Sequence, residues 1–127
     1  MPGVNDWLRK ASNDLMASKK LSDANETFDC SVFHTHQCAE KSLKAFIVAA
    51  QQSVPRTHDL GFLFFDCLKI DPNLMLLSNE SKALNPYGYD SRYPNDSFYV
   101  NKQKVDDAIA MAERIFTVIK TVLRSES

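Results

Sequence analysis

The chain has 127 residues, 44% of them hydrophobic, and fifteen Lys plus Arg against sixteen Asp plus Glu leave a formal net charge of -1. That length supports one buried core and excludes two ordinary domains, so residues 1–127 read as a single domain. The near-neutral charge excludes a general positive field for nucleic acid, so any RNA contact has to come from a local patch.

The first predicted element runs from about Asn5 to Leu21, where Val4, Leu8, Ala11 and Leu15 recur at helical spacing beside Trp7. A polar stretch, Ser22 to Glu26, separates it from the longest helix, expected from about Thr27 to Gln51 and roughly 37 Å long at ~1.5 Å per residue. Pro55 closes that helix by pushing Val54 out of helical geometry. A short helix from about Asp59 to Lys69 carries Leu60, Leu63, Phe64, Cys67 and Leu68, with Thr57 as the expected N-cap. Asp71 followed by Pro72 marks another helix start, the element ending near Leu84. Asn85 to Phe98, with Pro86, Gly88 and Pro94, reads as an ordered loop. A final helix from about Lys102 to Arg124 places Val105, Ala108, Ile109, Ala112, Phe116, Ile119 and Leu123 on one stripe. Nothing reads as a strand, so the expected fold is all-α, an up-and-down antiparallel helical bundle of about five helices.

No apolar run approaches the roughly 18 residues of a membrane span, the longest being broken by Lys44 and Gln51, which predicts a soluble chain with no membrane partner. Cys30, Cys38 and Cys67 are odd in number, lack a CxxC pair and have no signal peptide ahead of them. Reduced thiols in a cytoplasm are expected.

On a helical wheel of the long second helix, Val32, Ala39, Leu43, Phe46, Ile47 and Ala50 share the core side. His34, Gln37, Lys41 and Lys44 form a polar row on the other side, either a solvated face or a row that contacts an anion or a base. His36 falls near the edge of the apolar side, four residues before Glu40, and a structural role is expected for it. Cys38, Ser42, Ala45 and Ala49 make a flank of small side chains that lets another helix approach, from this chain or a second copy. Cys30, His34 and Cys38 share a face, but no fourth ligand follows at metal-site spacing, so no metal is expected.

Arg56, His58 and Asp59 sit at the start of the third helix, where unpaired N–H groups favour anions, although His58 would equally pack at the junction. Tyr87, Tyr89 and Tyr93 surround Arg92 in NPYGYDSRYPND. Rings that stack on a base beside a guanidinium that forks onto a phosphate are the equipment of nucleotide recognition. The alternative is that Arg92 pairs with Asp90 or Asp96 and the tyrosines pin the loop. Gly-rich phosphate loops, Ser-nucleophile motifs and metalloprotease motifs are missing, which removes those enzyme classes.

Taken in order, WLRKASNDL, FHTHQCAEKSLKAF, PRTHDL, LNPYGYDSRYPND and a last amphipathic helix resemble the HEPN family over Trp7 to about Ile119. The resemblance implies a five-helix bundle, usually a homodimer, often encoded beside a small nucleotidyltransferase in toxin-antitoxin-like pairs. Many members are ribonucleases that need no metal or other cofactor and use an Arg followed four to six residues later by a His. This sequence departs from that pattern: YPNDSF follows Arg92, no His occurs after His58, and Arg56 and His58 stand too close together to fill it. The expectation is therefore a non-catalytic nucleotide- or RNA-associated module, with an endoribonuclease toxin as the alternative. Its expected site comprises Arg92, Tyr93, Tyr89, His34, Gln37, Lys41, Lys44, Arg56 and His58, with Arg92 facing a groove shared with the second helix near His34, Gln37 or Lys41.

Overall fold

The structure is a computed structural model that describes residues 2–92, 94 and 99–125, with only the backbone of Ser125. Five α-helices follow in order: α1 (Val4–Lys20), α2 (Phe28–Ala49), α3 (Leu60–Ile70), α4 (Ser78–Leu84) and α5 (Lys102–Ser125). Short 3-10 turns lie in every connection but the one from α2 to α3, and no strand occurs among the described residues.

The three long helices supply most of the core, and α3, the Pro72–Leu77 turn and α4 complete it with Leu60, Leu63, Phe64, Cys67, Leu74, Leu77 and Leu84. Ser31 of α2 donates its hydroxyl to the Ser18 carbonyl of α1, His34 reaches Asp14, and Lys44 lies over the Trp7 ring. Those pairings run in opposite directions along the two helices, so α1 and α2 are antiparallel. Lys102 Nζ donates to the Ser22 carbonyl and Lys19 to Glu113, which makes α5 antiparallel to α1 as well. The α5 stripe is buried as its periodicity predicts, but its centre is Val105, Ala108, Ala112, Ile115 and Ile119, all 0% exposed. Ile109, Phe116 and Leu123 flank that line and are only partly buried.

The small-residue flank of α2 is used inside the chain. Cys38, Ser42 and Ala45 are fully buried, and the Cys38 thiol faces the Ala112 carbonyl of α5, so the flank is closed to a second copy along these three, with only Ala49 at its end exposed. Helix α2 ends at Ala49, two residues before the expected end, because Gln51 turns into the left-handed region at φ 60°. Pro55 lies beyond that stop and does not cause it.

At α3 the N-cap is Asp59 and not Thr57: Asp59 Oδ1 accepts from the backbone N–H of Gly61 and Phe62, while Thr57 Oγ1 accepts from that of Asp59. Asp71 caps the next element as predicted, accepting from the Asn73 N–H at 3.0 Å. That element is a 3-10 turn over Pro72–Leu77, and only Ser78–Leu84 is α-helical. The Asn85 to Phe98 loop carries two further 3-10 turns, Asn85–Gly88 and Asp90–Arg92, which lie against α2.

Candidate functional site

A groove of about 400 Å³ opens where α2, the entry to α3 and the turns over positions 85 to 92 meet. Helix α2 contributes His36, the α3 entry His58 and Asp59, and the turns Asn85, Gly88, Tyr89 and Arg92. Two other grooves, one around Trp7 and one between Leu8 and Leu123, hold none of the site residues expected from the sequence.

Glu40 anchors the groove from below, and its spacing in the sequence allows pairing with His36 or Lys44, each four residues away, but not with the distant His58. It is 2% exposed, and its carboxylate accepts from Lys44 Nζ at 2.9 Å and from His58 Nδ1 at 2.9 Å. His36 Nδ1 stands 3.9 Å from the same carboxylate and closer, at 3.4 Å, to Gln37 Oε1. A buried acid is stable only when cations and donors surround it, and Glu40 has both. A Glu four residues from both His36 and Lys44, beside the core positions Ala39 and Leu43, is the signal that the sequence offers for it.

His58 is held at one end only. Its side chain is 72% exposed while Nδ1 is bound to Glu40. A neutral imidazole so bonded carries its proton on Nδ1 and keeps a lone pair on Nε2, the arrangement of an oriented general base. His36 is the opposite case: it is 1% exposed, and burial pushes its proton affinity below the ordinary histidine value, partly opposed by the Glu40 charge.

Arg92 is exposed at the groove wall, with its guanidinium 5.5 Å from the centre of the Phe33 ring on α2. Helix α2 lines the groove through His36 and braces Arg92 through Phe33, and not through His34, Gln37 or Lys41. Tyr89 lines it at 66% exposure. Tyr93 lies outside the described residues, as does Asp96.

The polar row on α2 has a different job from the one its spacing suggests. His34 Nδ1 and Lys41 Nζ bind the two carboxylate oxygens of Asp14, at 2.9 and 2.6 Å, and Asp14 is only 8% exposed. Lys44 is 7% exposed, pinned between Glu40 and Trp7. These three side chains therefore bolt α2 to α1 and into the core, because the α1 carboxylate and the buried acid compete for them ahead of any ligand. Gln37 is half-buried beside His36.

The start of α3 is likewise already occupied: Asp59 takes the N–H groups of Gly61 and Phe62, and Asn85 Oδ1 takes that of Leu60 at 2.9 Å. The anion site expected there is closed, and Arg56 is exposed without lining the groove. Cys30 is exposed and Cys38 buried, His34 is paired with Asp14, and no cluster of three metal-ligating side chains occurs among the described residues.

Residues 4–122 match the family model of the HEPN domain. A Methanocaldococcus jannaschii protein named Putative toxin MJ1304 is 26% identical, over 94% of this chain and 88% of that protein. Two solved structures share the fold at 23% identity and a TM-score of 0.76: ST0689, an archaeal HEPN homologue, over 97% of this chain and 99% of its own, and TT1696 from Thermus thermophilus, over 95% and 98%. With the family model spanning nearly its whole length and the helices in the expected order, the chain belongs to the HEPN domain family.

Proposed function

We propose that this chain is the HEPN subunit of a toxin-antitoxin-like pair, a non-catalytic module that takes a nucleotide, or a single phosphate-bearing end of RNA, in the His58–Arg92 groove. The observation that carries this reading is Arg92, braced on Phe33 at one wall of a groove whose other wall presents His58. About 400 Å³ falls within the range of small-ligand sites. On a chain of net charge -1, one guanidinium at the groove wall, with Asp59 also lining it, offers a point contact for one phosphate and not a track for a long polymer. The likeness to a protein named as a toxin supports the pairing with an antitoxin-type partner, such as a small nucleotidyltransferase, and the family supports a homodimer. A cytoplasmic setting is consistent with three free cysteines, and no described helix is long and apolar enough to cross a membrane.

One observation favours a second reading, a metal-independent endoribonuclease: the Glu40-bound His58 shares a groove with Arg92. His58 Nε2 would accept the 2′-hydroxyl proton as the 2′-oxygen attacks phosphorus, Arg92 would stabilise the phosphorane charge, and the 5′-oxygen would leave with a proton from water. Titrating a mononucleotide and a long RNA at two salt concentrations, beside metal-free incubation with single-stranded RNA, separates the two. Binding of mononucleotide that weakens little with salt and vanishes in Arg92→Ala, without cleavage, is the expected result. Tight, strongly salt-dependent binding of long RNA overturns the local site, and cleavage lost in both Arg92→Ala and His58→Ala establishes the second reading.

A further inference from the structure

We infer that the exposed apolar face of α3 and the following 3-10 turn is where a second copy of this chain docks. Among the described residues, Phe62 (53% exposed), Phe65 (61%), Met75 (57%) and Leu76 (50%) concentrate on that corner, whereas Met16, Tyr89 and Tyr99 are scattered elsewhere. Phe62 and Phe65 are one turn apart on the face of α3 opposite the buried Leu63 and Cys67. None of the described elements covers them.

The area fits a copy of the same protein. Half-exposed side chains of this size offer roughly 100 Å² each, or about 400 Å² together. One side of a standard stable interface buries about 800 Å², a little over half of it apolar. The corner therefore supplies nearly the whole apolar share that a dimer requires of each partner.

The charges fit a copy as well. Asp66 and Lys69 lie on the same strip of α3, 3.0 Å apart within the chain, and Lys69 Nζ sits 5.2 Å from the Phe65 ring centre. A face with one acid and one base is self-complementary about a two-fold axis, with Asp66 of each copy opposite Lys69 of the other. A strongly acidic or basic partner would find no net charge to match, and two chains of net charge -1 scarcely repel. Phe62 donates its N–H to Asp59, a groove residue, so the docked copy would border the candidate site. The inference rests on the dimer reading above and adds the surface.

Light scattering on the full chain at micromolar concentration tests it, with circular dichroism to verify folding. Wild type should give twice the chain mass, and the double variant F62E/F65E should be monomeric with unchanged helicity. Asp66→Lys and Lys69→Asp should each weaken dimerisation at least tenfold alone, and an equimolar mixture of the two should restore it, because unlike charges then face across the interface. That mixing test stands on surface residues and does not depend on the double variant folding. A monomeric wild type overturns the dimer reading and this surface together. A wild-type dimer that survives F62E/F65E, or charge variants that fail to rescue one another, overturns the surface alone.

Discussion

Gly88 lies directly on the His36 ring: a Cβ at Gly88 would stand 2.3 Å from Nε2 and 2.5 Å from Cε1. The 85–88 turn can rest on α2 only because residue 88 has no side chain, and the wall that carries Arg92 follows from that contact. Gly88→Ala should therefore displace the turn or the imidazole, costing about 1–3 kcal/mol as overpacking does, and weaken mononucleotide binding at Arg92. Thermal unfolding should show a midpoint several degrees lower; a variant with wild-type midpoint and affinity would contradict the contact.

Acid should destabilise the fold through His36. Burial holds its folded-state proton affinity below the ordinary value of 6.5. Below pH 6.5 the unfolded chain then binds a proton that the folded chain refuses. Stability falls as pH drops from about 6.5 to the lowered value and levels off beneath it. Urea midpoints at a series of pH values should decline over that window, and His36→Gln should flatten the decline; an identical slope in the variant would place the effect elsewhere.

Glu40 and Lys44 should behave as a unit. Removing the acid alone, in Glu40→Gln, leaves Lys44 buried without its counter-charge and should cost about 3–5 kcal/mol. Replacing both, as Glu40→Leu with Lys44→Met, should recover most of that loss while still releasing His58. Denaturant unfolding measures the first effect, and the imidazole resonances of His58 the second. A double variant as unstable as the single one would show that the pair's attraction is not what matters.

The three cysteines should separate by reactivity. Burial pushes the thiols of Cys38 and Cys67 up to about 12, whereas Cys30 is exposed, its thiol also raised by partial burial and by the Asp29 charge beside it. A disulfide reagent at about pH 8, near the ordinary thiol range, should titrate one thiol in the native protein and three after denaturation, with Cys30→Ser abolishing the native reaction. Rapid native modification of Cys38 would mean that the α2–α5 seam opens.

Helix periodicity is a property of neighbours along the chain, and so it is legible: the five α-helices and the buried stripe of α1 and α5 follow from residues three or four positions apart, and the Asp71 cap from the proline next to it. Arg92 as a groove residue is legible too, from the turn formers and tyrosines around it. Signals that compete locally mislead. Thr57 and Asp59 are both good caps, and only the path of the chain into α3 chose Asp59. The α2 row looks solvated because a wheel shows one helix at a time, whereas Asp14 on α1 claims His34 and Lys41, and Glu40 claims Lys44.

The amino-acid sequence by itself determined that this chain is helical and of near-zero charge, with aromatic rings and an arginine gathered at one loop, because composition and short-range spacing set burial and secondary structure. Only the tertiary structure decided which imidazole is exposed in the groove that Arg92 lines. His34, His36 and His58 are equivalent in chemistry, and their fates diverge through partners far away in sequence. Asp14 takes the first, the Gly88 turn covers the second, and Glu40 holds the third at the groove with one nitrogen left over.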